Sequence, residues 1–261
     1  MTTGKVYLVG AGPGDPKLIT VYGMECIQKA DVILYDRLAN EALLQYAEDD
    51  AELIFCGKLP GKHELIQEQI HELLVEKACE GKTVTRLKGG DPCVFGRVGE
   101  EAEVLAERGI RYEIVPGITS GIAAPAYAGI PVTHRDHASS FAIVTGHGRA
   151  EKGEDYLNWS ALAQGIDTIA FYMGVGNLSY ICKKLIEHGK RSDTPVAVIQ
   201  WGTTEKQQTV TGNLETIEYV AANAQITHPA IVLVGEVVGL REKIKWFEEL
   251  EGKKESNIGG N

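Results

Sequence analysis

The chain has 261 residues, with 26 basic against 36 acidic side chains and a net charge of -10 when histidines are neutral, which lacks the basic footprint of a nucleic-acid binder. Hydrophobic and charged fractions of 44% and 24% are those of an ordinary globular protein with chain enough for one large or two modest cores. No stretch approaches the ~20 apolar residues of a membrane span, the N-terminus has no secretory pattern, and five scattered cysteines without a C-x-x-C spacing suit reduced thiols and a cytoplasmic setting.

Short apolar runs rich in β-branched and aromatic residues predict strands at Lys5–Val9, Val32–Tyr35, Glu52–Phe55, Thr83–Leu87 and Arg111–Val115. Between them, Leu65, Ile66, Ile70, Leu73, Leu74 and Ala78 recur near a 3.6 period, so Glu64–Glu80 reads as a helix stopped by Gly81. A second helix is expected over Gly99–Arg108, ended by Gly109. Such alternation implies a mainly parallel sheet covered by helices.

A Gly, Ala and Pro-rich segment follows, from Pro116 to about Val132. Further strands are expected at Ser139–Thr145, Thr168–Tyr172, Val196–Gln200, Gln208–Thr211 and Ala230–Val234, with helices at Leu178–Glu187, Leu214–Ala222 and Leu240–Leu250. The strand at Gln208 follows its predecessor too closely for a helical crossover, which predicts a mixed second sheet. The fold class is therefore α/β with two α/β domains, 1–116 and 117–250, and a disordered polar tail over 251–261.

Gly10-Ala11-Gly12-Pro13-Gly14-Asp15-Pro16 directly follows the first strand, and its glycines let backbone approach a ligand closely. Asp36, ending the second strand, sits where a dinucleotide-binding acid would, but Asp15 replaces the third fingerprint glycine. The loop can serve a nucleotide or be purely structural. Lys88-Gly89-Gly90-Asp91-Pro92 follows the fourth strand, where ligands of open α/β sheets sit, and Asp91 suits an ammonium or a ribose hydroxyl as well as a turn cap. Gly81-Lys82-Thr83 lacks the leading glycine of a phosphate-binding loop, since Glu76 stands there. His134-Arg135-Asp136-His137, with His147 nearby, offers no third ligand at a diagnostic spacing, so no metal is expected.

Taken in order, Gly10–Pro16, Tyr35–Leu38, Gly57-Lys58, Arg86–Pro92, Phe95–Arg97, Pro116–Ser120, Pro131–Arg135, Tyr172–Gly174 and Pro229–Val237 resemble the tetrapyrrole methylase family across about residues 4–240. The resemblance is to the branch that methylates uroporphyrinogen III. It implies a homodimer whose cofactor, S-adenosylmethionine, lies folded in an active-site cleft between two α/β domains. The implied cofactor contacts are Pro13, Gly89, Gly90, Asp91, Val94, Thr119, Ser120, Met173, Gly202 and Ala230.

The implied reaction places methyl groups on carbons 2 and 7 of uroporphyrinogen III to give precorrin-2, which feeds sirohaem and cobalamin synthesis. Asp36 and Lys58 match the family's proton acceptor and donor, and Glu100 is a rival base. The substrate carries eight carboxylates, for which Arg97 and Arg135 are the first partners because a guanidinium grips a carboxylate with two bonds. Arg37, Lys58 and Arg149 follow, and His147 and Tyr172 are further ligand contacts. The family pattern fills residues 4–250, so a fused dehydrogenase and ferrochelatase module is not expected. Other readings are a methylase acting on corrin rings, diphthine or ribosomal RNA, an NAD-dependent oxidoreductase, or a non-catalytic nucleotide-binding module.

Overall fold

Five of the apolar runs assemble into one parallel sheet. In the computed structural model, which describes residues 3–57, 66–146 and 157–247, these are β1 (Lys5–Gly10), β2 (Val32–Tyr35), β3 (Glu52–Phe55), β4 (Thr83–Lys88) and β5 (Arg111–Val115), in the order β3-β2-β4-β1-β5. Successive strand residues point to opposite faces, so one set of side chains feeds each layer. Val6, Leu8, Val32, Leu34 and Val84 pack with Ile70, Leu74 and Ala78 of α2 (Gln67–Cys79) and Ala102 and Leu105 of α3 (Val98–Glu107). Val9, Ile33 and Leu87 face the other way, onto Cys26 and Ile27 of α1 (Val21–Gln28).

Gly81 and Gly109, at φ +83° and +63°, stop α2 and α3 as their sequence positions predict. Glu64 and Leu65, at the expected start of α2, lie outside the described residues. The reading missed α1, which begins at the Thr20 cap, whose hydroxyl accepts the Gly23 N–H at 3.0 Å. Its outer residues Val21 and Tyr22 are exposed, which hid the periodicity.

The chain divides into two compact units, Met1–Thr119 and Ser120–Asn261. The second carries β6 (Phe141–Thr145), β7 (Thr168–Tyr172), β8 (Pro195–Gln200), β9 (Gln208–Asn213) and β10 (Ala230–Val234), in the order β6-β7-β10-β8-β9. Only β6 and β7 pair in parallel; the other pairs are antiparallel, so the sheet is mixed as expected. One face is covered by α5 (Trp159–Gly165), α6 (Leu178–Glu187) and α7 (Ile217–Asn223), through Trp159, Ile181, Leu185 and Ile217. The other meets α4 (Ser120–Tyr127), whose Ala124 packs with Ala170, Ala197 and Ile231.

Two expected starts move for local reasons. β6 begins at Phe141 rather than Ser139, because the Asp167 carboxylate takes the amides of Ser139 and Ser140 at 2.9 and 3.0 Å. α7 begins at Ile217 rather than Leu214, because Asn213 Oδ1 accepts the amides of Glu215 and Thr216 and turns the chain first. The last α-helix, α8 (Arg241–Ile244), is short and preceded by a 3-10 turn at Glu236–Leu240. Residues 248–250 and the expected tail at 251–261 lie outside the described residues. Among the described residues no helix is long and apolar enough to cross a membrane.

Candidate functional site

In the first unit the sequence-predicted loops meet beyond the carboxyl ends of β1, β4 and β5. Gly12 and Gly90 exchange backbone hydrogen bonds, Gly90 N–H to Gly12 O at 2.7 Å and Gly12 N–H to Gly90 O at 3.2 Å, both residues having positive φ. A Cβ on Gly10 would lie 2.6 Å from the Gly117 Cα and 2.7 Å from the Gly90 oxygen. A Cβ on Gly89 would lie 2.6 Å from that of Leu38. Gly10 is demanded by backbone packed against backbone and Gly89 by the close approach of Leu38, reasons beyond the ligand access read from the sequence.

Asp91 fastens this junction. Its Oδ1 accepts the Cys93 N–H at 2.8 Å and its Oδ2 the Gly117 N–H at 2.9 Å, so both oxygens already serve the loop. Val94 follows on the same turn, its amide donating to the Asp91 carbonyl at 3.2 Å. Pro13 is half-buried, and Thr119 is buried where the first unit ends. The loop after β1 leads into a 3-10 turn capped by Asp15, with α1 starting only at Val21. No helix N-terminus opens on the glycines, which removes the phosphate grip of a dinucleotide fold.

Asp36 sits at the rim of a charged cluster that the sequence reading missed. Its Oδ1 accepts the amides of Leu38, Ala39 and Gly89 at 3.0, 3.2 and 3.4 Å, and its Oδ2 lies 3.8 Å from Arg86 Nη2. Arg86 and Lys88 alternate on the α2–α3 face of β4 and are buried, as is Glu101 on α3. Glu101 Oε1 accepts from Lys88 Nζ at 2.7 Å, Arg86 Nε at 3.3 Å and Gln67 Nε2 at 3.2 Å. Burial holds the Lys88 ammonium below the usual lysine range, with the neighbouring Arg86 charge adding to the effect and Glu101 opposing it. The available signal was two charges at alternate positions of an apolar strand, which share a face.

Arg97 and Glu100 pair with each other at the start of α3. Nε to Oε1 is 2.8 Å and Nη2 to Oε2 is 2.6 Å, with both side chains about half exposed. The bonds from Arg97 hold the Glu100 carboxyl below the usual glutamate range, which makes it a weak base. Phe95 and Arg97 have φ of +55° and +56°. Such left-handed non-glycine residues cost on the order of 1 kcal/mol each and gather at functional loops.

In the second unit Met173 follows β7 at φ +54° and is 55% exposed, and Trp201 and Thr203 after β8 are also left-handed. The hydroxyl of Tyr172 accepts the Gly121 N–H, holding the first turn of α4, which begins at Ser120. Gly202 is needed because a Cβ there would collide with the Ala124 side chain. Ala230 opens β10, paired with Gln200. Arg135 is exposed in a turn closed by two backbone bonds between His134 and Ala138. Arg37 is exposed too. Lys58, His147 and Arg149 lie outside the described residues. Among the described residues no group of three His, Cys, Asp or Glu side chains could hold a metal. All five cysteines are free, and burial pushes the thiols of Cys26 and Cys182 up to about 11, far from a nucleophile's value.

The family described as Tetrapyrrole (Corrin/Porphyrin) Methylases matches residues 5–218. The chain belongs to this family. Among the tetrapyrrole methylases, a uroporphyrinogen-III C-methyltransferase of Priestia megaterium is 62% identical over 235 residues, 90% of this chain and 98% of that relative. One from Bacillus subtilis (strain 168) is 59% identical over 248 residues, 95% of this chain and 51% of that relative, so the chain spans about half its length. A uroporphyrin-III C-methyltransferase of Thermus thermophilus, solved with S-adenyl homocysteine, has a TM-score of 0.76 and 39% identity, covering 91% of this chain and all of that one, 100%.

Proposed function

We propose that this chain is an S-adenosylmethionine-dependent uroporphyrinogen-III C-methyltransferase that methylates carbons 2 and 7 and releases precorrin-2. The observation that carries the reading is the 62% identity to the Priestia megaterium enzyme over 98% of its length. The product would enter sirohaem or cobalamin synthesis. The working form is a cytoplasmic homodimer.

The cofactor supplies a methyl group already activated on a sulfonium, so the transfer calls for alignment and a proton acceptor rather than a metal. Met173, exposed and held left-handed, suits an apolar face for an adenine, and Pro13, Gly89, Gly90, Val94, Thr119, Ser120, Gly202 and Ala230 complete the proposed contacts. Asp91 shapes this site through its two backbone bonds and, with a second lone pair on each carboxylate oxygen, stays among the proposed cofactor contacts.

Of the two bases, we favour Asp36 for the pyrrole N–H proton. Its Oδ2 is free of backbone donors among the described residues, whereas both oxygens of Glu100 are held by Arg97. Lys58 remains the proposed proton donor. Arg97 and Arg135 are exposed and can take substrate carboxylates, Arg97 with the guanidinium N–H groups that Glu100 does not engage.

Mass spectrometry of the tetrapyrrole after incubation with S-adenosylmethionine tests the reading. Two added methyl groups are expected; an unmodified tetrapyrrole defeats it. A melting-temperature comparison adds the class test, with S-adenosylhomocysteine stabilising the protein by linkage and NAD leaving it unchanged.

A further inference from the structure

The cluster behind Asp36 holds charges that a methyl transfer has no direct use for. Arg86, Lys88 and Glu101 are 3%, 4% and 0% exposed. A buried ion cluster is seldom retained for stability alone, because desolvation offsets most of its attraction. Here it is also incompletely satisfied: Glu101 Oε2 is buried and finds no hydrogen-bond partner among the described residues. Three donors converge instead on the single Oε1.

The geometry is directional. Arg86 gives Nε to Glu101 and Nη1 to the carbonyls of Leu34 and Leu87, each at 3.3 Å, which leaves Nη2 as the edge turned to Asp36 Oδ2 at 3.8 Å. The guanidinium is planar, so fixing Nε and Nη1 fixes Nη2 as well. Lys88 immediately precedes the Gly89–Gly90 turn, and its ammonium is tied to the same Glu101 oxygen. One carboxylate thus orients both the cation beside Asp36 and the strand end whose next amide, that of Gly89, donates to Asp36 Oδ1.

We propose that Glu101 is a positioning residue for methyl transfer, acting through Arg86 and Lys88 to fix the carboxylate of Asp36. The proposal rests on the function given above and on Asp36 as the proton acceptor. Glu101 touches neither reactant in this scheme. Its replacement changes the rate of the chemical step rather than the affinity for either partner, since a general base displaced by a fraction of an ångström loses much of its effect.

The test is steady-state and single-turnover methylation of uroporphyrinogen III by Glu101→Gln, with calorimetric titration of S-adenosylhomocysteine on the same preparation. The expected result is a kcat lower by roughly tenfold to a hundredfold, with both KM values and the S-adenosylhomocysteine affinity within about threefold. In an Asp36→Asn background the same substitution changes the residual single-turnover rate by less than about threefold, because the residue it acts through is already gone. Arg86→Lys, which keeps the buried charge and loses the fork, gives the same kcat loss and serves if Glu101→Gln fails to fold. Wild-type kcat in either folded variant overturns the proposal. So does an undiminished effect in the Asp36→Asn background, or a loss confined to affinity. A wild-type protein that makes no methylated product overturns the proposed function and this inference with it.

Discussion

The Asp91 carboxylate bridges its own turn to Gly117: Oδ2 accepts the Gly117 N–H at 2.9 Å while Oδ1 accepts the Cys93 N–H at 2.8 Å. Gly117 is also the residue whose backbone leaves no room for a Cβ on Gly10. One side chain therefore ties the loop after β4 to the loop after β5, across the glycines that end β1.

It follows that Asp91→Ala is first a stability variant. Two charge-assisted bonds to backbone amides are lost, and the expected cost is about 2–3 kcal/mol. Asp91→Asn keeps one acceptor and should fall between the two. Urea unfolding of the three proteins reads this directly. An Asp91→Ala protein as stable as wild type would mean that the bonds seen here contribute nothing.

The glycine junction makes a second forecast, with a built-in contrast. Gly10→Ala drives a methyl against the Gly117 and Gly90 backbones, which cannot rotate away, and should cost on the order of 3 kcal/mol or more. Gly202→Ala meets the Ala124 side chain, so a second substitution, Ala124→Gly, should restore part of the loss. Thermal unfolding of the single and double variants distinguishes them. Failure of Ala124→Gly to help would place the strain elsewhere.

How far the sequence could be read depended on where the deciding contacts lie. The bounds of β2, β3, β5, β7 and β10 match the expectation because β-branched runs flanked by turn residues specify them locally. α4 escaped because its Gly, Ala and Pro composition looks like a loop. It becomes a helix by laying Ala124 on Ala170 and Ala197, residues far along the chain. The glycine motifs were visible as motifs, but their reason was not, since Gly10 and Gly117 meet only in the folded unit. Glu101 was passed over for its neighbour Glu100. One helical step turns Glu101 into the core and leaves Glu100 at the surface with Arg97.

Acid should weaken the second unit through Asp167. Its Oδ2 accepts both the amides and the hydroxyls of Ser139 and Ser140 at 2.9–3.0 Å, and the Ser139 amide bond is the first cause holding the carboxyl below the usual aspartate range. A carboxyl whose folded pKa is depressed adds stability above its unfolded value, about 3.9, and loses it as pH falls through the folded value. Asp167→Asn should therefore be less stable than wild type at neutral pH, with the difference closing below pH ~4. Denaturation midpoints measured against pH test this; a difference that persists unchanged into acid would contradict it.

The Arg97–Glu100 pair leads to a separation between stability, cofactor binding and turnover. Both side chains are about half exposed, so the pair is worth no more than about 1 kcal/mol to folding. Arg97→Ala should leave the melting temperature nearly unchanged. It should also leave S-adenosylhomocysteine affinity within about threefold, roughly 0.6 kcal/mol. Methyl transfer should fall steeply, because a substrate carboxylate left without its guanidinium must stay solvated or go unpaired. Arg97→Lys restores the charge but not the planar fork, and should recover only part of the rate. Arg135→Ala tests the second proposed grip in the same way. Product formation and cofactor titration on the same preparations keep the three quantities apart. Normal turnover by both alanine variants would mean that these arginines are surface charge and that other residues receive the substrate's carboxylates.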